Sequence, residues 1–235
     1  MTQNVDKTAL SAHESSSRGI AEPIPGYMTP DVGAAKKFKS SKGIALSSAV
    51  NAACGWFATN VAVEKGRPDM ALGFGAIALA STLSTLRFGL APTYFADANE
   101  LWSEYAARVG VPMISLGFLR AHRFWPAYLD VDNTGFPFKL AMAVTTSAVV
   151  SRMPDISYGV QRAYEILVGV ASMGAILYAE NLENTEAVAA VAAFSTAGLI
   201  IGPDAKRNIF GMRRINWYHY LMGASMVLFS QAILA

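Results

Sequence analysis

The sequence predicts an all-α integral membrane protein, a polytopic helical bundle with seven transmembrane helices preferred and six as the alternative. Only 15% of the 235 residues are charged and 53% are hydrophobic, whereas a soluble domain carries about a quarter charged residues. The apolar residues form continuous runs rather than alternating with polar ones, which favours helices over membrane strands. Each run is near the roughly 20 residues that a helix needs to cross about 30 Å of hydrocarbon.

A polar tail precedes the apolar runs. Residues 1–42 are rich in Ser, Pro and Lys, a composition that cannot bury enough apolar surface to fold, so we expect a flexible cytoplasmic tail. Residues 43–235 are predicted to form one transmembrane helical domain. The seven runs in this domain cover residues 44–63, 70–88, 101–125, 138–150, 158–179, 187–201 and 215–235.

Basic residues beside the runs indicate the orientation. Four lysines close the tail directly before the first run, and cytoplasmic flanks carry an excess of Lys and Arg, so the N-terminus is predicted to be inside. Seven spans then leave Arg120, Arg123 and Lys139 outside, against the rule. In the six-span alternative residues 101–125 do not cross. Those three residues then lie inside, but the four basic residues between positions 206 and 214 lie outside.

Several ionisable residues fall within or at the ends of the predicted spans. Glu104 and Arg108 are four residues apart and therefore share one face of a helix. Charged groups inside a bilayer are costly, so they usually face the bundle interior and pair with one another. With seven spans, all of them lie in one layer toward the inner leaflet. The layer consists of Arg87, Glu104, Arg108, Arg162, Glu165 and His219.

This layer predicts a protein that binds or processes a lipophilic small molecule. A carboxylate and an imidazole can move protons, and arginine side chains hold anionic groups. The expected catalytic residues are Glu104, Glu165 and His219, and the expected substrate-binding residues are Arg87, Arg108 and Arg162. In the simpler alternative, each pair only neutralises itself near the headgroups and orients its helix.

Two other functions stay open, and the sequence does not decide whether the protein is an enzyme. Small-residue helices and the absence of a catalytic motif also fit a non-catalytic accessory or structural subunit of a larger membrane complex. A proton-coupled transporter is a second alternative, although no inverted repeat supports it. The expected partners are membrane lipids, a lipophilic small molecule and other membrane proteins.

Composition excludes several site classes. Cys54 and three histidines are too few for a metal centre, and the sequence leaves the cofactor unknown. The net charge of +2 does not favour nucleic acid. The amides of Asn51 and Asn60, both inside the first run, are expected to make interhelical hydrogen bonds.

Overall fold

The computed structural model describes residues 41–121, 158–203 and 207–235. Within them 84% of residues are helical, in six helices, so the all-α prediction is confirmed. The predicted tail up to residue 40 and the predicted run at residues 138–150 lie outside the described residues.

The helices follow the predicted runs closely. Four are uninterrupted, and two contain a π-helical stretch. The uninterrupted helices are α1 (Lys42–Glu64), α2 (Pro68–Gly89), α4 (Tyr158–Ala179) and α6 (Arg214–Leu234). Helix α3 consists of Ala96–Tyr105, the π-helical Ala106–Gly110 and Val111–Ala121. Helix α5 consists of Thr185–Ser195 and the π-helical Thr196–Ile201. A short antiparallel hairpin of β1 (Asn208–Ile209) and β2 (Met212–Arg213) precedes α6.

The helices pack around a core centred on α1, α2 and α6. Helix α1 packs against α2 and α6, α5 packs against α6, and α3 lies between α2 and α4. Phe74 of α2, Phe118 of α3 and Phe229 of α6 are fully buried. The ring of Phe229 lies 6.3 Å from that of Phe74 and 5.7 Å from that of Phe118, between centroids. These rings join α2, α3 and α6 in one apolar centre.

Contacts between helix ends show that the bundle has two ends. The backbone N–H of Ser41 donates to the carbonyl of Phe88 (3.0 Å), so α1 begins where α2 ends; we call this the Ser41 end. Asp69 at the start of α2 pairs with Arg120 near the end of α3 (2.7 Å); we call this the Asp69 end. Glu180, just after α4, lines a cavity at the Asp69 end. Helices α3 and α4 therefore run in the same direction.

Only α2 (Pro68–Gly89), among the described helices, is by itself long and apolar enough to cross a bilayer. Shorter apolar stretches occur at Ala163–Ala179 and Thr185–Ile201. The helical bundle is thus shown, whereas the predicted seven spans are not established by the length and composition of these helices.

Helices α2 and α3 cross where two glycines meet. A Cβ atom on Gly73 would lie 2.5 Å from the carbonyl oxygen of Gly110 and 2.6 Å from Cγ1 of Ile114. Because one of these atoms belongs to the backbone, rotation of a side chain cannot relieve the clash. A Cβ atom on Gly75 of the same helix would meet its nearest neighbour, in Thr59, only at 3.8 Å.

We expect Gly73→Ala to destabilise the protein and Gly75→Ala to leave it unchanged or stabilise it. Overpacking costs about 1–3 kcal/mol, which exceeds the roughly 0.5–1 kcal/mol gained when alanine replaces glycine in a helix. Thermal unfolding of the two purified variants, followed by far-UV circular dichroism, measures the difference. Equal midpoints would show that the α2–α3 crossing does not require a glycine.

Candidate functional site

Arg108 is a buried cation in the bundle. Its side chain is 5% exposed, and its Nε and Nη2 atoms both donate to Oε1 of Glu165 on α4, at 3.0 and 2.9 Å. Oε2 of Glu104 lies 3.8 Å from Nη1 of Arg108. A buried charge without a partner is strongly destabilising, so Glu165 is what allows Arg108 to lie between α3 and α4. We call Glu104, Arg108 and Glu165 the Arg108 cluster.

The π-helical stretch of α3 positions this cluster. Its residues, Ala106–Gly110, widen the helix locally, an irregularity that often occurs at functional sites. Gly110 of this turn contacts Gly73 of α2, while Arg108 of the same turn reaches α4. One widened turn therefore connects α3 to a neighbour on either side.

The carboxylates of the Arg108 cluster are more accessible than its guanidinium. Glu104 is 30% exposed and Glu165 is 24% exposed, against 5% for Arg108. A carboxylate accepts hydrogen bonds at both of its oxygens, and partial exposure makes these two carboxylates the side of the cluster that a further group can approach. The accessible side of the cluster is thus an acceptor of hydrogen bonds.

His219 belongs to a second polar group, between α1, α2 and α6. Its Nδ1 atom lies 3.0 Å from Oγ of Ser47 and 3.2 Å from Oγ of Ser48. Ser48 also bonds Ser84 of α2 (2.9 Å), and Ser47 lies 3.2 Å from Oδ1 of Asn216. All five side chains are buried. We call this group the His219 network.

Asn51 extends the polar contact one turn further along α1. Its Nδ2 donates to Oγ of Ser81 on α2 (2.8 Å), which confirms the predicted interhelical bond. Its Oδ1 is buried without a hydrogen-bond partner among the described residues. Asn60 instead donates to Glu64 of its own helix, so the interhelical prediction for Asn60 is wrong.

Arg87 lies near the Ser41 end. Its Nη1 donates to Oδ1 of Asn99 on α3 (3.2 Å), and the Asn99 amide in turn donates to the carbonyl of Ala80. The guanidinium also lies 5.3 Å from the centroid of the Phe88 ring. These contacts join the end of α2 to the start of α3.

The predicted layer is therefore divided. Glu104, Arg108 and Glu165 are brought together, as predicted, but His219 and Arg87 are each held by other partners. On α2, Gly110 of the turn that carries Arg108 lies against Ala76, whereas the His219 network bonds Ser84, about 12 Å further along at 1.5 Å per residue. Arg108 lies midway along α3, whereas Arg87 and the His219 network both lie nearer the Ser41 end. The side chain of Arg162 lies outside the described part of the structure.

A small cavity occurs elsewhere, at the Asp69 end. It has a volume of about 180 Å³ and is lined by Arg67, Phe118, Glu180, Ala232 and neighbouring residues. Ligand pockets generally begin near roughly 300 Å³, so this cavity is a weaker candidate than the Arg108 cluster for a site that accepts a lipophilic molecule.

Sequence reasoning missed the serines of the His219 network. Serine is common in helices that pack closely, so single serines carry little information. The signal that exists is their spacing: Ser47, Ser48 and Asn51 lie on one face of α1, as Ser81 and Ser84 do on α2.

Comparison with known protein families, curated proteins and solved structures gives no match for this chain.

We expect Ser48→Ala to lower stability by about 1–2 kcal/mol, because it removes a hydroxyl that bridges α1 to both α2 and α6 and leaves buried partners unsatisfied. Ser230→Ala is the matched control, since the equally buried Ser230 hydroxyl bonds Met226 of its own helix (2.8 Å). Such bonds within a helix add little stability. Denaturant or thermal unfolding compares the two variants, and equal losses would argue that the network does not hold the helices together.

Proposed function

We propose that this is a multi-pass membrane protein with seven spans and a cytoplasmic N-terminus, and that its Arg108 cluster binds a lipophilic small molecule. In this proposal the polar head of the molecule donates hydrogen bonds to Glu104 and Glu165, and one of these carboxylates acts as acid or base. The conclusion rests chiefly on one observation: an ion cluster lies near mid-depth in a bundle whose outer faces are apolar.

The distribution of polar groups in α1 supports a lipid surrounding. Ser47, Ser48 and Asn51 face the bundle interior, where they are at most 2% exposed. Leu46 is 62% exposed and Phe57 47% exposed on the other side of the helix. Large contiguous apolar patches are rare on soluble monomers, whereas in lipid this arrangement leaves the polar groups satisfied internally.

The same distribution explains why α1 is not apolar enough to qualify as a span by composition. Of the residues that lower its mean hydropathy, Ser47, Ser48 and Asn51 face the other helices, whereas Asn60, near the Asp69 end, is exposed. Residues 43–63 and 215–235 contain no Asp, Glu, Lys or Arg, and both stretches have the roughly 20 residues needed to cross a bilayer. Composition alone undercounts spans of this kind.

Helix direction also fits seven spans. Numbered as in the seven-span arrangement, α3 is the third span and α4 the fifth, and odd-numbered spans run in the same direction. The two helices do run in the same direction, from the Ser41 end toward the Asp69 end.

The depth of the Arg108 cluster favours function over anchoring. Arginine pairs that only orient a helix lie near the headgroups, where long side chains reach water. Ionisable groups deeper in a membrane are costly and usually mark a substrate or proton path. Partly exposed carboxylates beside a buried guanidinium suit a lipophilic molecule with a hydroxyl or amine head.

The membrane arrangement is tested by labelling single cysteines in a Cys54→Ser background with a membrane-impermeant maleimide. Thr93→Cys and Asn208→Cys, at the Ser41 end, are expected to react only from the cytoplasmic side. Lys65→Cys and Glu183→Cys, at the Asp69 end, are expected to react only from the opposite side. Denatured samples control for the reactivity of each cysteine. Reaction of all four from one side would contradict a bundle that crosses the membrane.

The binding proposal is tested by purification in mild detergent and mass spectrometry of the co-purifying small molecules. We expect wild-type protein to carry one lipophilic species in a fixed ratio and Glu104→Gln to lose it, because the amide is a weaker acceptor and holds no charge. Thermal unfolding of the variant, compared with wild type, separates loss of the species from loss of the fold. Glu100→Gln, one turn earlier on the exposed side of α3, should retain the species.

Retention of the species by Glu104→Gln, or its absence from wild-type protein, would contradict the binding proposal. Partner chains in a fixed ratio, with no small molecule, would instead assign the protein to the accessory-subunit alternative. The exposed apolar faces of α1 and α4 would then be helix contacts; Leu167 of α4, for example, is 67% exposed.

A further inference from the structure

The hairpin before α6 presents an aromatic side chain to its surroundings. Phe210 is at the tip and is 93% exposed, the largest value among the exposed large apolar residues of the described chain. The turn residues Phe210 and Gly211 both have positive φ, 49° and 76°. Two-residue hairpins of type I′ require this conformation at both positions.

Phenylalanine is an unfavourable choice for this tip. Asn, Asp and Gly are preferred at the first turn position, and a residue with a bulky side chain in the left-handed region carries strain of about 1–2 kcal/mol. The tip gains no burial in return. A strained, exposed aromatic residue is therefore better explained by contact with something outside the chain.

The rest of the hairpin is held firmly. Nε1 of Trp217 donates to the carbonyl of Ile209 (3.0 Å), and the backbone N–H of Arg214 donates to the carbonyl of Arg207 (2.8 Å). Arg213 donates to Oγ of Ser41 at the start of α1 (3.0 Å). The tip is thus fixed to both α1 and α6 at the Ser41 end.

Positive charge surrounds the tip. Arg207 and Arg213 flank it on the two sides and are exposed, and Lys42 is exposed at the start of α1. Residues 207–235 contain no acidic residue. Basic and aromatic residues together suit an interface with anionic lipid, where phosphates attract the charges and the ring enters the headgroup region.

We propose that the hairpin tip is a membrane-surface anchor, in which Phe210 enters the headgroup region of an anionic leaflet and the flanking arginines contact lipid phosphates. This inference rests on the proposed membrane location of the bundle. It adds a lipid preference at the Ser41 end that is independent of the molecule bound at the Arg108 cluster.

The test uses full-length protein reconstituted into vesicles, with a fluorophore on Asn208→Cys in the Cys54→Ser background. The vesicles contain phosphatidylcholine, with or without phosphatidylserine, and a lipid that carries a nitroxide quencher near its headgroup. We expect the fluorophore to be quenched in vesicles with and without phosphatidylserine, and more strongly in those with it. The additional quenching should disappear at high salt, because salt screens the arginine–phosphate attraction.

Phe210→Asn is the informative variant. Asparagine suits the left-handed position, so the variant should unfold at the same or a higher temperature in detergent, yet show weaker quenching than wild type. Leu182→Asn is the matched control: Leu182 also has positive φ (59°) and is 65% exposed. It lies in the acidic loop at the Asp69 end, so its replacement should leave quenching at Asn208→Cys unchanged.

Unchanged quenching in Phe210→Asn would overturn the anchor and assign the tip to a protein partner, and quenching indifferent to phosphatidylserine would overturn the lipid preference. An alkaline wash of the vesicles separates the two proposals. If the labelled protein washes off, both the membrane location of the bundle and the anchor at the hairpin tip are overturned. If the protein stays in the vesicles but Phe210→Asn is quenched as strongly as wild type, only the anchor is overturned.

Discussion

The burial of the Arg108 guanidinium is the constraint that fixes one side of the bundle. A cation enclosed by helices requires a carboxylate beside it, and Glu165 supplies one from α4, through two hydrogen bonds to a single oxygen. The pairing fixes how α3 and α4 lie relative to each other. The π-helical turn that carries Arg108 also carries Gly110, which sits against Gly73 of α2. Three helices therefore depend on the geometry of one turn.

The opposite side of the bundle is held by neutral polar groups. Ser47 and Ser48 of α1 meet His219 of α6 and Ser84 of α2, so one set of short side chains connects three helices. Short polar side chains permit close helix approach and lose little conformational freedom when they are fixed. The charged cluster and the neutral network differ in chemistry, and only the charged cluster has partly exposed polar atoms.

Much of the fold was predictable from the sequence, and less of the site was. Long uncharged runs, such as residues 215–235, fix where helices occur because the apolar pattern and the helix length agree. That Arg108 would have a carboxylate partner followed from one rule, that charges among apolar residues pair with one another, and the spacing pointed to Glu104 of the same helix rather than to Glu165. The partners of His219 did not follow, because serines at positions 47 and 48 have many roles in a helix and the sequence does not say which helices are neighbours.

By itself the sequence determined the helical class, the helix positions and the presence of ionisable residues among apolar ones. These properties depend on local pattern and on the cost of burying charge. Only the tertiary structure decided how far along the bundle each polar residue lies and which residue it contacts. Glu165 pairs with Arg108, Arg87 with Asn99, and His219 with the serines of α1. The same holds for Phe210, whose exposure follows from a turn with positive φ rather than from any feature of the surrounding residues. Depth and partners depend on how helices cross, which sequence spacing does not specify.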